Sequence, residues 1–345
     1  MNYDDEMQRT NILKLRKKLE TLPPYCGDFF RGIENVTSHR TRLAYAYDLQ
    51  LFFNYLKNEA GFSERQINDV NILNKLTLTD LERYISYLNY FEETDKDGKV
   101  TVHKNTERGK SRKIASLRTF YKYFYKKQVI TTNPASLIDM PKYHQKQITR
   151  LEPDEVSKLL DLVEKGPTLS KGQMKYYEKT KVRDFALISL LLGTGMRVSE
   201  CVGIDIKNID FDNNGIKILR KGGSEQVIYF GTEVRNALID YLNERHNVIC
   251  DTDALFLSMQ NKRITVRAVE NLVKKYTRQV TTLKNISPHK LRSTYGTNLY
   301  RETGDIYLVA DVLGHRDVNT TRKHYAQIDD DRRRVAAKVV KLRDN

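Results

Sequence analysis

The sequence predicts a mainly α-helical protein of two domains, with a small antiparallel β-sheet in the second. Three observations carry this reading. The length of 345 residues exceeds one average domain and suits two, each able to bury a core. Apolar residues in the first 140 positions recur at the three-to-four spacing of amphipathic helices. Between 204 and 231 the pattern changes to alternation broken by "DNNG" and "KGG", which reads as strand, turn and strand.

Taken in order, residues 1–36 read as an N-terminal extension. It holds a short helix in "TNILKLRKKLETL", stopped by the breaker "PPYCGDFF". "TSHRTRLAYAYDLQLFFNYLKN" (37–58) reads as a helix with Leu43, Tyr47, Phe52, Tyr55 and Leu56 near one face. "TLTDLERYISYLNYF" reads as another, with Thr79 as N-cap, and "EETDKDGKV" as a charged turn. "KNTERGKSRKIASLRTFYKYFYKKQ" (104–128) is a helix whose apolar residues are Ile114, Leu117, Phe120, Tyr121 and Phe124. Three prolines and few apolar residues mark the stretch that follows as a change of character, and 141–150 reads as a linker between domains at 37–140 and 151–328. In the second domain "LEPDEVSKLLDLV" is a capped first helix, "VRDFALISLLLGTGM" a buried helix and "TEVRNALIDYLNER" a helix after the strands. Residues 329–345 read as an amphipathic tail helix.

Charge gives the first functional clue. Lys and Arg number 59 against 44 Asp and Glu, a net of +15, which points to a polyanionic partner and first of all to nucleic acid. The excess is concentrated. Residues 104–128 carry nine basic residues and one acid, Glu107, so +8 of the +15 sits in one helix. A solvated helix mixes both signs, whereas a one-sign helix suits phosphate contact. The candidate DNA-contacting residues are Lys110, Arg112, Lys113, Arg118 and Lys122. The bland alternative is an exposed helix pairing with acids elsewhere on the chain.

Other classes find no support. No run approaches the ~20 apolar residues that span a bilayer, and the first twenty residues are polar throughout, so a cytoplasmic protein without membrane association is expected. Cys26, Cys201 and Cys250 are dispersed and form no CxxC pair, which suits free thiols in a reducing compartment. The seven histidines show no finger or HExxH spacing, so no metal site is expected.

Four stretches of the second half carry chemistry: "GTGMRVSE" (193–200), "LRKGGSE" (219–225), "SPHKLRSTYGT" (287–297) and "LGHRDVNTTRKHYAQI" (313–328). Alone, each is weak. A Gly-x-Gly before an arginine suits any helix end, "RKGG" any hairpin, and H-x-x-R is more often a surface pair. Their ordered combination, however, resembles the tyrosine recombinases of the phage-integrase and Xer kind. Arg197, Lys221, His289, Arg292, His315 and Tyr325 fall on the family's catalytic positions. In the first half "SRKIASLRTFYKYF" followed by "NPASLIDMPK" resembles that family's helical, SAM-like core-binding domain and its exit, so about residues 37–330 are covered. Two departures stand out. Ser293 occupies a position where many relatives have histidine, and His315 and Tyr325 are one residue further apart than in many of them. Position 324 is a histidine, so the shorter register offers no competing tyrosine.

The resemblance implies a two-domain clamp on duplex DNA and strand breakage through a 3′-phosphotyrosine. The residue types suit that chemistry. Tyrosine offers a hydroxyl on a rigid ring, but its ordinary pKa of about 10 leaves it protonated at neutral pH. His289 is the expected acid–base partner, and His315 is expected to hydrogen-bond a phosphate oxygen. Arg197 and Arg292 can fork onto the phosphoryl oxygens with permanent charge. Lys221 is the expected proton donor to the departing 5′ oxygen, preferred to Lys217, which alternation puts in mid-strand. Glu200 matches the family's "RxSE" acid and is expected to orient the basic cluster; the bland reading is a solvated helix residue. No cofactor is implied, because the phosphotyrosyl bond conserves the energy of the broken phosphodiester.

The resemblance further implies synapsis of two recombination sites by a homo-tetramer on DNA, strand exchange through a Holliday junction, and a tail at 329–345 exchanged between protomers. Integration and excision of a mobile element is the favoured role, because sequence at 1–36, 92–104 and 164–181 exceeds a minimal resolvase. An Xer-like resolvase of chromosome or plasmid dimers, a type IB topoisomerase and a DNA-binding protein without catalysis are the alternatives.

Overall fold

The computed structural model of the chain describes residues 3–94, 97–142, 149–166, 171–220, 223–315 and 317–318. The chain divides into two compact units, Met1–Gln145 and Lys146–Asn345.

The first unit is helical. Helix α1 (Tyr3–Leu19) opens with Asp4, Asp5 and Glu6 and closes with Arg16, Lys17 and Lys18, charges that complement the helix dipole at both ends. Helices α2 (Cys26–Gly32) and α3 (His39–Asn58) follow, and α1 packs along α3. Ser38 caps α3 by accepting from the Thr41 amide at 3.2 Å. Single turns α4 (Glu64–Ile67) and α5 (Ile72–Lys75) lead to α6 (Leu78–Tyr87). The chain then forms an antiparallel hairpin, β1 (Phe91–Thr94) with β2 (Val100–His103), before α7 (Glu107–Lys126).

The core of this unit is aromatic. Phe29, Phe52 and Phe120 are completely buried, with Phe29 and Phe120 edge to face at 5.0 Å. Ile114, Leu117, Phe120, Tyr121 and Phe124 line the buried face of α7, as their spacing predicts. Residues 1–36 contribute Leu15, Leu22, Cys26, Phe29 and Phe30 to this same core.

Three expectations need correction here. Phe52, Tyr55 and Leu56 are buried as expected, with Ala46, Leu49 and Phe53 beside them, but Tyr47 is exposed and its ring instead lies under the Lys18 ammonium at 5.0 Å. The cap of α6 is Thr77, which exchanges hydrogen bonds with Asp80, not Thr79. The expected charged turn is in part strand: Glu92, Glu93 and Thr94 belong to β1 and Val100 to β2, and the first pair of this hairpin stacks the Phe91 ring on His103 at 4.9 Å.

The second unit mixes helices with a three-stranded antiparallel meander. Helices α8 (Pro153–Lys165) and α9 (Lys171–Glu178) precede α10 (Lys181–Thr194), which is buried from Ala186 to Leu191 and packs against α8. After α11 (Val198–Gly203) come β3 (Ile209–Asp210), β4 (Gly215–Leu219) and β5 (Glu225–Tyr229), with Ile216 opposite Ile228. Helices α12 (Thr232–His246), α13 (Val266–Val280), α14 (Pro288–Thr303) and α15 (Ile306–Leu313) complete it; α12 and α14 both pack on α10. Among the described residues no helix is long and apolar enough to cross a membrane.

Candidate active site

Helix α10 ends at Gly195 in a left-handed conformation (φ 61°). A side chain there would press on Tyr295 Cγ and Leu313 Cδ2, both at 3.0 Å from the added carbon, so glycine is required twice over. The freed Gly195 carbonyl accepts from Arg292 Nη1 at 2.8 Å. Two residues on, Arg197 is the N-cap of α11. Its amide donates to Glu200 Oε2 at 2.7 Å and its Nη1 to Glu200 Oε1 at 2.8 Å. The Glu200 side chain is only 4% exposed while that of Arg197 is 36% exposed, so the buried carboxylate holds a guanidinium that still meets solvent. Glu200 is therefore not a solvated helix residue.

Arg292, on α14, is 3% exposed. Its Nη2 donates to the Leu313 carbonyl, at the end of α15. Arg197 Nη2 donates to the next carbonyl, Gly314, at 3.2 Å. A third guanidinium joins them. Arg220, at the end of β4, donates from Nη2 to Val312 O at 2.9 Å and from Nη1 to Leu313 O at 2.8 Å. Its Nε donates to Gln226 Oε1 on β5 at 2.8 Å, and Nη1 lies 3.7 Å from Glu200 Oε1. Burial lowers the Arg220 pKa and the Glu200 carboxylate opposes that; an arginine keeps its charge in either case. The last carbonyls of a helix lack internal partners and carry its negative dipole end, so cations are favoured there. Three guanidiniums against the Glu200 carboxylate, with Asp311 also acting on Arg220, leave a net positive charge at this point.

Beyond the clamped turn stands His315. Gly314 ends α15 in the left-handed region (φ 60°), and the His315 amide donates back to Ala310 O at 2.9 Å. His289 occupies the first turn of α14, one turn ahead of Arg292, and is exposed. The structure thus brings Arg197, Glu200, Arg292 and the His315 backbone together and carries His289 on the Arg292 helix. Lys221 and Tyr325 lie outside the described residues, as does the tail at 329–345. Lys221 directly follows Arg220 in the chain, and Arg220 bounds its turn by donating from its amide to Ser224 O at 2.8 Å. Lys217, the rejected alternative, is on the strand and pairs with Glu225 at 2.8 Å.

Arg220 was not anticipated. The signal was present: strand alternation puts Ile216, Ile218 and position 220 on one face, and the first two are plainly core residues. A charge on a buried face needs a partner, and here it has several.

In the first unit the basic residues of α7 divide. Lys122 is exposed. Lys110 reaches Asn89 Oδ1 at 2.8 Å and Glu107 at 2.7 Å, and Lys113 reaches Asn105 Oδ1 at 2.8 Å. Arg112 pairs with Asp48, whose pKa is raised by burial against the opposing pull of that guanidinium. Arg118 is committed to the chain that follows α7: Nε donates to Ala135 O at 3.2 Å, and Nη2 to Ser136 O at 3.4 Å and to Ile138 O. Among the described residues no group of three or more His, Cys, Asp or Glu is placed to hold a metal ion.

Comparison with known proteins gives consistent results. A profile of the phage integrase family matches residues 149–332. The tyrosine recombinase XerC of Caldanaerobacter subterraneus subsp. tengcongensis is 36% identical over 329 residues, spanning 91% of this chain and 86% of that protein. Among solved structures, the XerH site-specific recombinase bound to palindromic difH substrate superposes with a TM-score of 0.70 at 21% identity, covering 96% of this chain and 89% of that one. The Tn1549 transposon integrase bound to circular intermediate DNA superposes with a TM-score of 0.61 at 20% identity, covering 87% and 94%. At such identities the two superpositions speak for the fold.

Proposed function

Because the chain belongs to the phage integrase family, as a tyrosine-type site-specific recombinase that cuts and rejoins DNA, we propose that the arginine cluster at the end of α15 is its strand-cleavage centre. The observation that supports this most directly is the anchoring of Arg197 and Arg292 to adjacent carbonyls, immediately ahead of His315. In this reading the phenolic oxygen of Tyr325 attacks the scissile phosphorus, and the bond from phosphorus to the 5′ oxygen breaks. The protein keeps the 3′ phosphate as a phosphotyrosine and releases a 5′ hydroxyl. Negative charge gathers on the non-bridging oxygens, where Arg197 and Arg292 supply fixed donors and His315 a further one. His289 takes the phenol proton, and Lys221 protonates the departing oxygen. Glu200 holds Arg197 by its two hydrogen bonds.

The basic excess of α7 supports contact with the DNA backbone, first through the exposed Lys122, with Lys110, Arg112 and Lys113 partly engaged by Glu107, Asp48 and Asn105 and Arg118 the one most occupied within its own unit. Duplex recombination sites are then the partner, bound by a tetramer with tails at 329–345 exchanged between protomers. Deleting 329–345 and finding assembly and activity unchanged would remove the last point.

For the biological role we place resolution of chromosome or plasmid dimers ahead of mobile-element integration. The integration reading rested on apparently extra sequence. Residues 1–36 instead pack into the first unit's core, and similarity to a XerC protein runs through 91% of the chain. The test is to trap covalent complexes in the native cell and map the attached DNA. A dimer resolvase yields one fixed locus on each replicon; junctions of a mobile element would reverse the assignment.

A further inference from the structure

Arg220 has no role in the chemistry above, yet it is among the most heavily bonded buried cations of the second unit. It is 7% exposed, and its Nε, Nη1 and Nη2 all donate to groups within the protein. Its guanidinium joins three separate pieces: Gln226 across the hairpin, Glu200 on α11, and the Val312 and Leu313 carbonyls that end α15. Around it the fit is close. A Cβ on Gly314 would stand 2.6 Å from the Arg220 Cζ, so the glycine and the guanidinium occupy complementary space. Burying an arginine is costly unless every donor is matched, and a purely structural tie at this point needs no charge at all. What this geometry accomplishes is registration. Lys221 directly follows Arg220 in the chain, and His315 directly follows Gly314.

We propose that Arg220 is a positioning residue of the cleavage centre: by tying the root of the β4–β5 turn to Glu200 and to the end of α15, it sets Lys221 in register with the Arg197, Arg292 and His315 group. This rests on the assignment of Lys221 as proton donor to the leaving 5′ oxygen. In that step the Tyr325 oxygen bonds to phosphorus, the 5′ oxygen departs with the bonding electron pair, and the lysine ammonium supplies its proton. Replacing the bridging 5′ oxygen by sulfur removes the need for that proton. A thiol, with an ordinary pKa of about 8.5, leaves as the thiolate, whereas an alkoxide does not.

The test uses the full chain and nicked suicide duplexes built on the sequence recovered by covalent trapping, with either oxygen or sulfur at the bridging 5′ position. Variants are Arg220→Met, Arg220→Lys and Lys221→Ala. Arg220→Met is expected to bind the oxygen duplex within about twofold of the parent and to cleave it about 100-fold more slowly, the low end of what general-acid catalysis contributes. On the sulfur duplex the deficit is expected to fall below about fivefold, as for Lys221→Ala, because the proton is no longer required. Arg220→Lys keeps the charge without the fork and is expected to be intermediate; it serves in place of the methionine variant if that one does not fold. Equal slowing of the Arg220 variants on both duplexes, or cleavage of the oxygen duplex at the parental rate, overturns the proposal. Equal slowing of Lys221→Ala on both duplexes overturns instead the assignment of the proton donor.

Discussion

Arg197 and Arg292, far apart in the second unit's sequence, donate to consecutive carbonyls of one helix end, Gly314 and Leu313. The helix terminus acts as a jig. It satisfies its own orphan carbonyls and at the same time fixes the separation of two guanidiniums before any phosphate arrives. Preorganised charge of this kind stabilises a transition state without reorganising when the reaction occurs.

Lysine at either arginine keeps the charge but loses the planar fork. Arg197→Lys and Arg292→Lys are each expected to slow single-turnover cleavage by about 100- to 1000-fold. Duplex affinity, measured by gel shift, is expected to stay within about threefold, since other cations hold the backbone. Full-rate cleavage by either variant would show that guanidinium geometry is not used.

Gly314 is the joint of this arrangement. With φ at 60° and the Arg220 guanidinium where a β-carbon would stand, Gly314→Ala combines left-handed strain with a steric conflict. A loss of about 2 kcal/mol in unfolding free energy is expected from the backbone and the displaced guanidinium together. Denaturant melts of the full chain measure it, and cleavage should fall with it.

On α7 two basic residues should behave differently. Lys122 is exposed, so Lys122→Ala is expected to reduce the slope of log affinity against log salt by about 0.9. Arg118 is bonded to the Ala135, Ser136 and Ile138 carbonyls. Arg118→Met is expected to cost about 2 kcal/mol of stability through unpaired acceptors. A salt titration beside a urea melt separates the two.

The cap of α6 is a pH-dependent contributor. Asp80 accepts from the Thr77 amide at 3.0 Å and its hydroxyl at 2.8 Å, and these bonds hold its carboxyl below the ordinary 3.8. A depressed folded-state pKa contributes stability that is present above pH 3.8 and lost as pH falls through the lower folded value. Asp80→Ala is expected to be about 1 kcal/mol less stable than the parent at pH 7, with the gap closing as the pH drops below 3.8. A gap that is unchanged at pH 3 would contradict this.

Where one physical rule dominated, the sequence was legible. Helical spacing located the α7 core residues, and alternation broken by glycine located β4 and β5. The ordered motifs picked out Arg197, Glu200, Arg292 and His315 before their proximity was visible. Side-chain size misled at Tyr47, where the smaller Ala46 occupies the buried stripe. The hairpin at 91–103 escaped because Phe91 alone among its described residues is buried, and Val100 and Val102 lie exposed among charges. Arg220 sat on an inward face by parity, but its partners at Val312 and Leu313 come from a distant helix end that no local pattern announces.

The central claim is that Tyr325 makes the covalent bond to DNA. Incubating the full chain with a nicked suicide duplex, then locating the attached nucleotide by peptide mass spectrometry, tests it directly. The account predicts a covalent complex with the nucleotide on the peptide containing Tyr325, abolished by Tyr325→Phe while duplex binding persists. A complex that survives in Tyr325→Phe, or a nucleotide on any other residue, would contradict it.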